Sequence, residues 1–240
     1  MLNKYYDSKT KTIILPDYFD IKLTEVPKDT TKIIFGSLFN QPIHKNELPE
    51  NISCLCFNFY FNQSVDNLPE NLTELFFNYF SVFNQTVNNL PKNLTYIIFG
   101  HKFNQPIDNL PQNLIKLTFG SDFNQPINNL PKTLTHLSFG CNFNQPIYNL
   151  PKTLTHLTFG GAFNQSIENL PENLTHLSFG GAFNQSITKL PLNLVELNFG
   201  KNFNQILDNL PCSLIKLGVD HKYNNKIKLP HNCILEYYNY

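Results

Sequence analysis

The sequence predicts a β-rich solenoid: short repeats stacked into one parallel sheet of about ten strands, joined by extended, non-helical return paths. Three observations predict it. A Leu-Pro pair recurs along the chain, apolar residues hold fixed places between successive pairs, and the chain carries 22 Phe but no Trp. A bias of that kind signals a repeated unit, and a period near 20 residues signals a solenoid.

The pairs fall at Leu48-Pro49, Leu68-Pro69, Leu90-Pro91, Leu110-Pro111 and onward to Leu229-Pro230, with Val26-Pro27 opening the series. The step is 20 residues through the middle, 22 from Pro27 to Pro49 and from Pro69 to Pro91, and 19 at the end. Within one unit, Leu154, Leu157 and Phe159 spell L-x-x-L-x-F. That is the strand signature of a leucine-rich repeat with Phe in the last apolar place. Leu157 and Phe159 are two apart and share one face of a strand. Pro at the start, Gly after the Phe and the short period leave no room for a useful helix.

Stacking puts like residues on like, one rung every ~4.8 Å. A leucine column runs Leu94, Leu114, Leu134, Leu154, Leu174 and Leu194. Two phenylalanine columns follow, one from Phe35 to Phe199 and one from Phe39 to Tyr223. Ile43, Val65 and Val87 open an aliphatic column on the return path, which ends at Ile187. No unit buries its apolar face alone, so the units must stack. An Asn follows the second Phe of every unit, as in Asn104, Asn124, Asn144, Asn164 and Asn184. A buried polar group needs a partner. This column therefore reads as a ladder that accepts from an amide in the next rung and donates to turn carbonyls. The glycine after the first Phe reads as a turn residue.

The two longer units place their extra residues differently. The first insertion falls between Ile43 and Leu48, on the return path. The second falls between Phe77 and Phe83, where the strand leaves the sheet, and should bulge at the rim. The ends need caps, because an open sheet edge invites aggregation. Residues 1–25 read as an N-terminal cap with a first strand in Lys11–Leu15, 26–217 as the repeats, and 218–240 as a C-terminal cap.

The string Phe-Asn-Gln-Pro-Ile at Phe39, Phe103, Phe123 and Phe143 resembles the FNIP repeat family, found in slime moulds and in large DNA viruses that infect amoebae. The resemblance covers Pro27 to Pro230. It implies a leucine-rich-repeat-like solenoid, a role in protein interaction and, for a viral protein, the host cytoplasm. Some related proteins carry an N-terminal F-box. The residues before the first repeat are too few for one, so that role is not carried over.

Charge narrows the partners. The chain has 18 basic and 18 acidic residues and no net charge. Nucleic acid and anionic membranes both demand a basic field. No run approaches the roughly 18 apolar residues of a membrane helix. The polar N-terminus does not read as a signal peptide. Five cysteines without regular spacing do not make a disulfide framework, which points to a reduced, intracellular protein. The Asn-x-Ser/Thr triplets are by-products of an Asn-rich repeat. No cofactor is implied.

The outward strand positions decide function. One column runs Lys32, Cys54, Glu74, Tyr96, Lys116, His136, His156, His176, Glu196 and Lys216. The next runs Ile34, Cys56, Phe76, Ile98, Thr118, Ser138, Thr158, Ser178, Asn198 and Gly218. His136, His156 and His176 are candidate zinc ligands, but the sequence offers them no outer shell of support. An enzyme is not expected. Glu74 and Glu196 lie six rungs apart, about 29 Å at the sheet spacing, whereas glycosidase carboxylates sit within about 10 Å. Cys54 and Cys56 have no histidine in their rung, and Ser138 has no orienting carboxylate. No phosphate-binding loop is present.

What remains is binding. Cys56, Glu74, Phe76, Tyr96 and Ile98 form the candidate partner site on the concave sheet face, with Tyr79 and Phe80 at its rim. Clustered exposed aromatics mark interfaces. The alternatives are that the N-terminal cap folds over this patch, or that the protein is structural and self-assembling. The expected state is a monomer or a weak self-associate.

Overall fold

The computed structural model describes residues 2–239. Met1 and Tyr240, the outermost residues of the two expected caps, lie outside the described residues. The chain opens with a 3-10 turn, Leu2–Tyr5, and the short strand β1, Tyr6–Asp7. Then come β2 (Thr12–Ile14), β3 (Lys32–Ile34), β4 (Cys54–Phe57), β5 (Glu74–Phe77), β6 (Tyr96–Ile98) and β7 (Lys116–Thr118). The series continues with β8 (His136–Ser138), β9 (His156–Thr158), β10 (His176–Ser178), β11 (Glu196–Asn198), β12 (Lys216–Asp220) and β13 (Ile234–Tyr238). They form one sheet in strict chain order. From β2 onward every pairing is parallel, and like residues face like, as in Leu137 opposite Leu157.

Among the described residues the sheet has 13 strands, against the ten or so read from the sequence. The additions lie at the ends. Residues 11–25 are a full rung: Ile13, Leu15, Phe19 and Leu23 are buried, each 20 positions before its counterpart among Ile33, Phe35, Phe39 and Ile43. Only β1 turns back, antiparallel to β2, and closes that end. At the other end β13 pairs along its whole length with β12.

Each rung folds for local reasons. Pro151 accepts from the Leu154 amide at 3.1 Å, which turns the chain into the strand. Leu154, Leu157, Phe159, Phe163 and Ile167 are then buried together. The two phenylalanine columns interleave: Phe159 and Phe163 stack within a rung at 3.7 Å, and Phe163 meets Phe183 of the next rung at 6.2 Å. The spine runs unbroken from Phe35 to Tyr223. Each buried ring contributes roughly 1.5–3 kcal/mol, and near-parallel stacking adds to that.

Asparagines bind successive rungs on the return path. Asn124 Oδ1 accepts from the Asn144 amide at 3.0 Å and from Gln145 Nε2 at 3.2 Å. The same pair of bonds recurs from Asn40 to Gln205. In the first rung Asp20 takes the position of the asparagine, and in the last the donor is Asn225 rather than Asn224.

The glycines work differently from the sequence reading. None has a positive φ, so none is needed for a left-handed turn. A Cβ on Gly140 would lie 2.1 Å from the carbonyl oxygen of Gly120 in the rung below. Only glycine lets the two backbones approach this closely. The second insertion does form a rim loop. Asn78 Oδ1 accepts from the Phe80 amide, buried Ser81 supports Phe83, and Tyr79 and Phe80 are left exposed.

Candidate functional site

Alternation along each strand turns one set of side chains outward. In β4 to β6 these are Cys54 and Cys56, Glu74 and Phe76, and Tyr96 and Ile98. Register places Cys56 opposite Phe76, Phe76 opposite Ile98, and Glu74 opposite Tyr96. Phe76 and Tyr96 meet edge to face, with centroids 4.9 Å apart and planes at 82°. Lys116 Nζ stands 5.7 Å from the centroid of the Tyr96 ring. Tyr96 thus packs against both an aromatic ring and a cation.

A groove of about 180 Å³ opens beside Phe76, lined by Ile34, Phe35, Cys56, Phe57, Phe77 and neighbouring asparagines. Tyr79 and Phe80 pack edge to face on the rim at 5.0 Å, and the Tyr79 hydroxyl lies 3.3 Å from Ser121 Oγ two rungs on. The five strand residues thus share one face, while Tyr79 and Phe80 make a second cluster on the loop beyond β5. Among the described residues, the N-terminal segment does not cover the patch. It stacks on the end of the sheet because it carries the inward columns of a rung. Its own outward residue, Ile14, is 60% exposed and faces Ile34. The apolar stripe therefore begins one rung earlier than the repeat motif revealed. The signal was the same 20-residue spacing, from Ile14 to Ile34.

The histidine column is also on this face. His136, His156 and His176 stack with centroids 4.1 and 4.2 Å apart and planes within 11°. Each Nδ1 lies 2.8–2.9 Å from the hydroxyl of the preceding threonine, Thr135, Thr155 or Thr175. Those hydroxyls donate to carbonyls one rung below. Each hydroxyl thereby ties the imidazole of its rung to the backbone of the rung below. The structure thus supplies the outer shell that the sequence did not. Parallel rings nevertheless aim their in-plane lone pairs side by side rather than at one point. No cluster of three or more His, Cys, Asp or Glu converges on a metal position among the described residues. Burial, helped by the Lys116 charge and by neighbouring imidazoles, pushes His136 and His156 below the ordinary histidine range.

A larger concavity, about 1210 Å³, lies away from the sheet along the Asn-Leu-Pro turns. Tyr148, Lys132, Lys152, Glu168 and Glu172 are among its lining residues. Stacking of the turns creates it, and only Tyr148, where the other units carry polar or charged residues, hinted at it in the sequence.

The FNIP Repeat family model matches residues 39–80 and 83–122, then in overlapping pairs of units through 219. The chain belongs to the FNIP repeat family. Among solved structures it is similar to CroV588, a giant-virus protein described as a novel circular leucine-rich-repeat structure. The TM-score is 0.76 at 40% identity, over 93% of this chain and 39% of that one. This FNIP chain thus spans well under half of that relative. No curated protein matches it. Solenoids of this leucine-rich-repeat type generally serve as scaffolds for interaction and are generally non-catalytic. No helix among the described residues is long and apolar enough to cross a membrane.

Proposed function

We propose that this FNIP-repeat chain is a non-catalytic scaffold that binds a protein partner on the sheet face over β4 to β6. Cys56, Glu74, Phe76, Tyr96 and Ile98 make the central contact, and Tyr79 and Phe80 the rim. One observation carries the reading. An apolar stripe, Ile14, Ile34, Cys56, Phe76 and Ile98, lies outward over neighbouring rungs, whereas the same column turns to Thr118, Ser138, Thr158 and Ser178 beyond. Folding does not require that change, because the inward columns stay the same. Ile34, Cys56, Phe76 and Ile98 are half-buried, and outward apolar clusters that include aromatics are typical anchors of interfaces. Lys32 and Lys116 flank Glu74 and Tyr96, so an acidic rim on the partner complements the patch.

The test is affinity capture from host lysate with wild type and with a combined Phe76→Ser, Tyr96→Ala, Ile98→Ser variant that keeps its circular dichroism. Loss of one specific partner in the folded variant supports the site. Equal capture by both sinks it. A second reading, self-assembly, is favoured by β13, where Ile234 is 61% and Tyr237 57% exposed on the end strand. Light scattering on dilution decides it: a mass that stays monomeric at all concentrations removes that reading.

A further inference from the structure

Cys54 and Cys56 project from the same face of β4, and their sulfurs lie 3.8 Å apart. Two thiolates bound to one tetrahedral ion at about 2.3 Å each stand about 3.8 Å apart. The pair therefore already holds the bite of a metal chelate, with no movement of the strand. We propose that Cys54 and Cys56 clamp a thiophilic divalent ion of the zinc and cadmium class on the sheet face, with solvent completing its coordination.

Three features of the surroundings favour this. Cys54 is buried, but Cys56 lines the 180 Å³ groove, which gives an ion a way in from solvent. The groove walls beside Cys56 are apolar, being Ile34 and Phe76, its register partners on either side. An apolar wall disfavours net charge, and a divalent ion with two thiolates has none. Lys32 and Glu74, the register partners of Cys54, bear opposite charges that offset one another.

A disulfide is the competing fate of two close thiols, and the backbone disfavours it. Alternate residues of an extended strand have Cα atoms roughly 6.6 Å apart, at the far edge of the disulfide range. The balanced step is displacement of two protons: the ion enters, both S–H bonds break, two S–metal bonds form and two protons pass to water. No electron is transferred. This site needs only a pair of ligands and is separate from the histidine column, whose lone pairs run parallel.

The experiment titrates the reduced, metal-free full chain with Cd²⁺ and follows the ultraviolet thiolate-to-cadmium charge-transfer band. Released protons are counted in weak buffer. The expected result is one tight ion per chain and up to two protons released. A Cys141→Ser, Cys212→Ser, Cys233→Ser variant keeps the band. Cys56→Ser weakens binding by more than about 100-fold, beyond the loss of an outer-shell contact, while circular dichroism stays unchanged. Cys56 is half-buried, so this variant is the safer one if Cys54→Ser fails to fold. Replacing all three histidines of the column by Gln leaves the band intact. A wild type without the band, a band that survives Cys56→Ser, or one that disappears with the three other cysteines overturns the proposal.

Discussion

Replacing Asn124 by alanine removes the acceptor for the Asn144 amide at 3.0 Å, whereas Gln145 Nε2 keeps the Asn124 backbone carbonyl at 3.0 Å. One half-buried backbone donor is then left without a partner. An unsatisfied donor costs about 1–3 kcal/mol when buried, and half-burial puts this one at about 1–2 kcal/mol. Aspartate tells the acceptor from the amide group. The Nδ2 of Asn124 reaches no protein acceptor among the described residues, and Asp20 already plays the part in the first rung. Asn124→Asp should therefore stay within about 0.5 kcal/mol of wild type. Adding Asn144→Asp puts two carboxylates one rung, ~4.8 Å, apart. The double variant should lose more than the two single losses together, by about 1 kcal/mol, and recover in high salt. Urea denaturation gives the global effect. Repeat arrays depart from two-state unfolding, so hydrogen exchange at the Asn144 amide gives the local one. An alanine variant equal to wild type in both measurements, or an aspartate as damaging as alanine, refutes the acceptor role.

Gly140→Ala drives a Cβ into the Gly120 carbonyl and should destabilise by about 3 kcal/mol or more, whereas Gly161→Ala, whose nearest neighbour is 3.5 Å away, should be near neutral; urea midpoints of the two compare them. Thr30 is fully buried in the leucine column, and its hydroxyl has no partner among the described residues, so Thr30→Val should raise stability by about 1 kcal/mol in the same assay. Phe163→Ala opens the aromatic spine and should cost about 3–5 kcal/mol, read as a lower midpoint and faster exchange in the neighbouring rungs. His136 and His156 bind protons less readily folded than unfolded. Below the unfolded value of 6.5 the unfolded state takes up more protons, so stability falls as pH drops from there toward the depressed folded values. Melting temperatures from pH 7.5 to 5 should show this decline, and a His136→Gln, His156→Gln variant should show less of it; equal slopes would remove the assignment.

Much of the rung was legible because stacking imposes one constraint on every unit. Any residue that points inward meets its own counterpart, so Leu157, Phe159 and Phe163 had to recur and their columns could be read directly. Legibility failed where the constraint came from backbone rather than side chains. Gly140 was taken for a turn former because sequence records that a Cβ is absent, not which carbonyl occupies its space. It failed too where a rung kept the spacing but lost the motif. Ile13, Leu15 and Phe19 share the period without Phe-Asn-Gln, so residues 11–25 looked like a cap. The candidate site was half legible. Alternation put Cys56, Phe76 and Ile98 outward, but the 3.8 Å separation of two sulfurs and the ties of the histidines to neighbouring hydroxyls depend on rotamers.

The same architecture separates stability from recognition. Inward residues repeat because each must match the rung on either side, and a change there disturbs two interfaces at once. Outward residues meet their neighbours only at the surface and can vary without that consequence. The outward column uses this freedom: it is apolar from Ile14 to Ile98 and small and polar from Thr118 to Ser178, over inward columns that hardly change. If β4 to β6 form the binding face, their outward residues should be transferable. Placing Phe and Ile at Thr158 and Ser178, with Tyr at His176, should leave the urea midpoint nearly unchanged while creating a second face that competes for the same partner. A large loss of stability would mean that the outward stripe also supports the fold, and its apolar character would then need no partner to explain it.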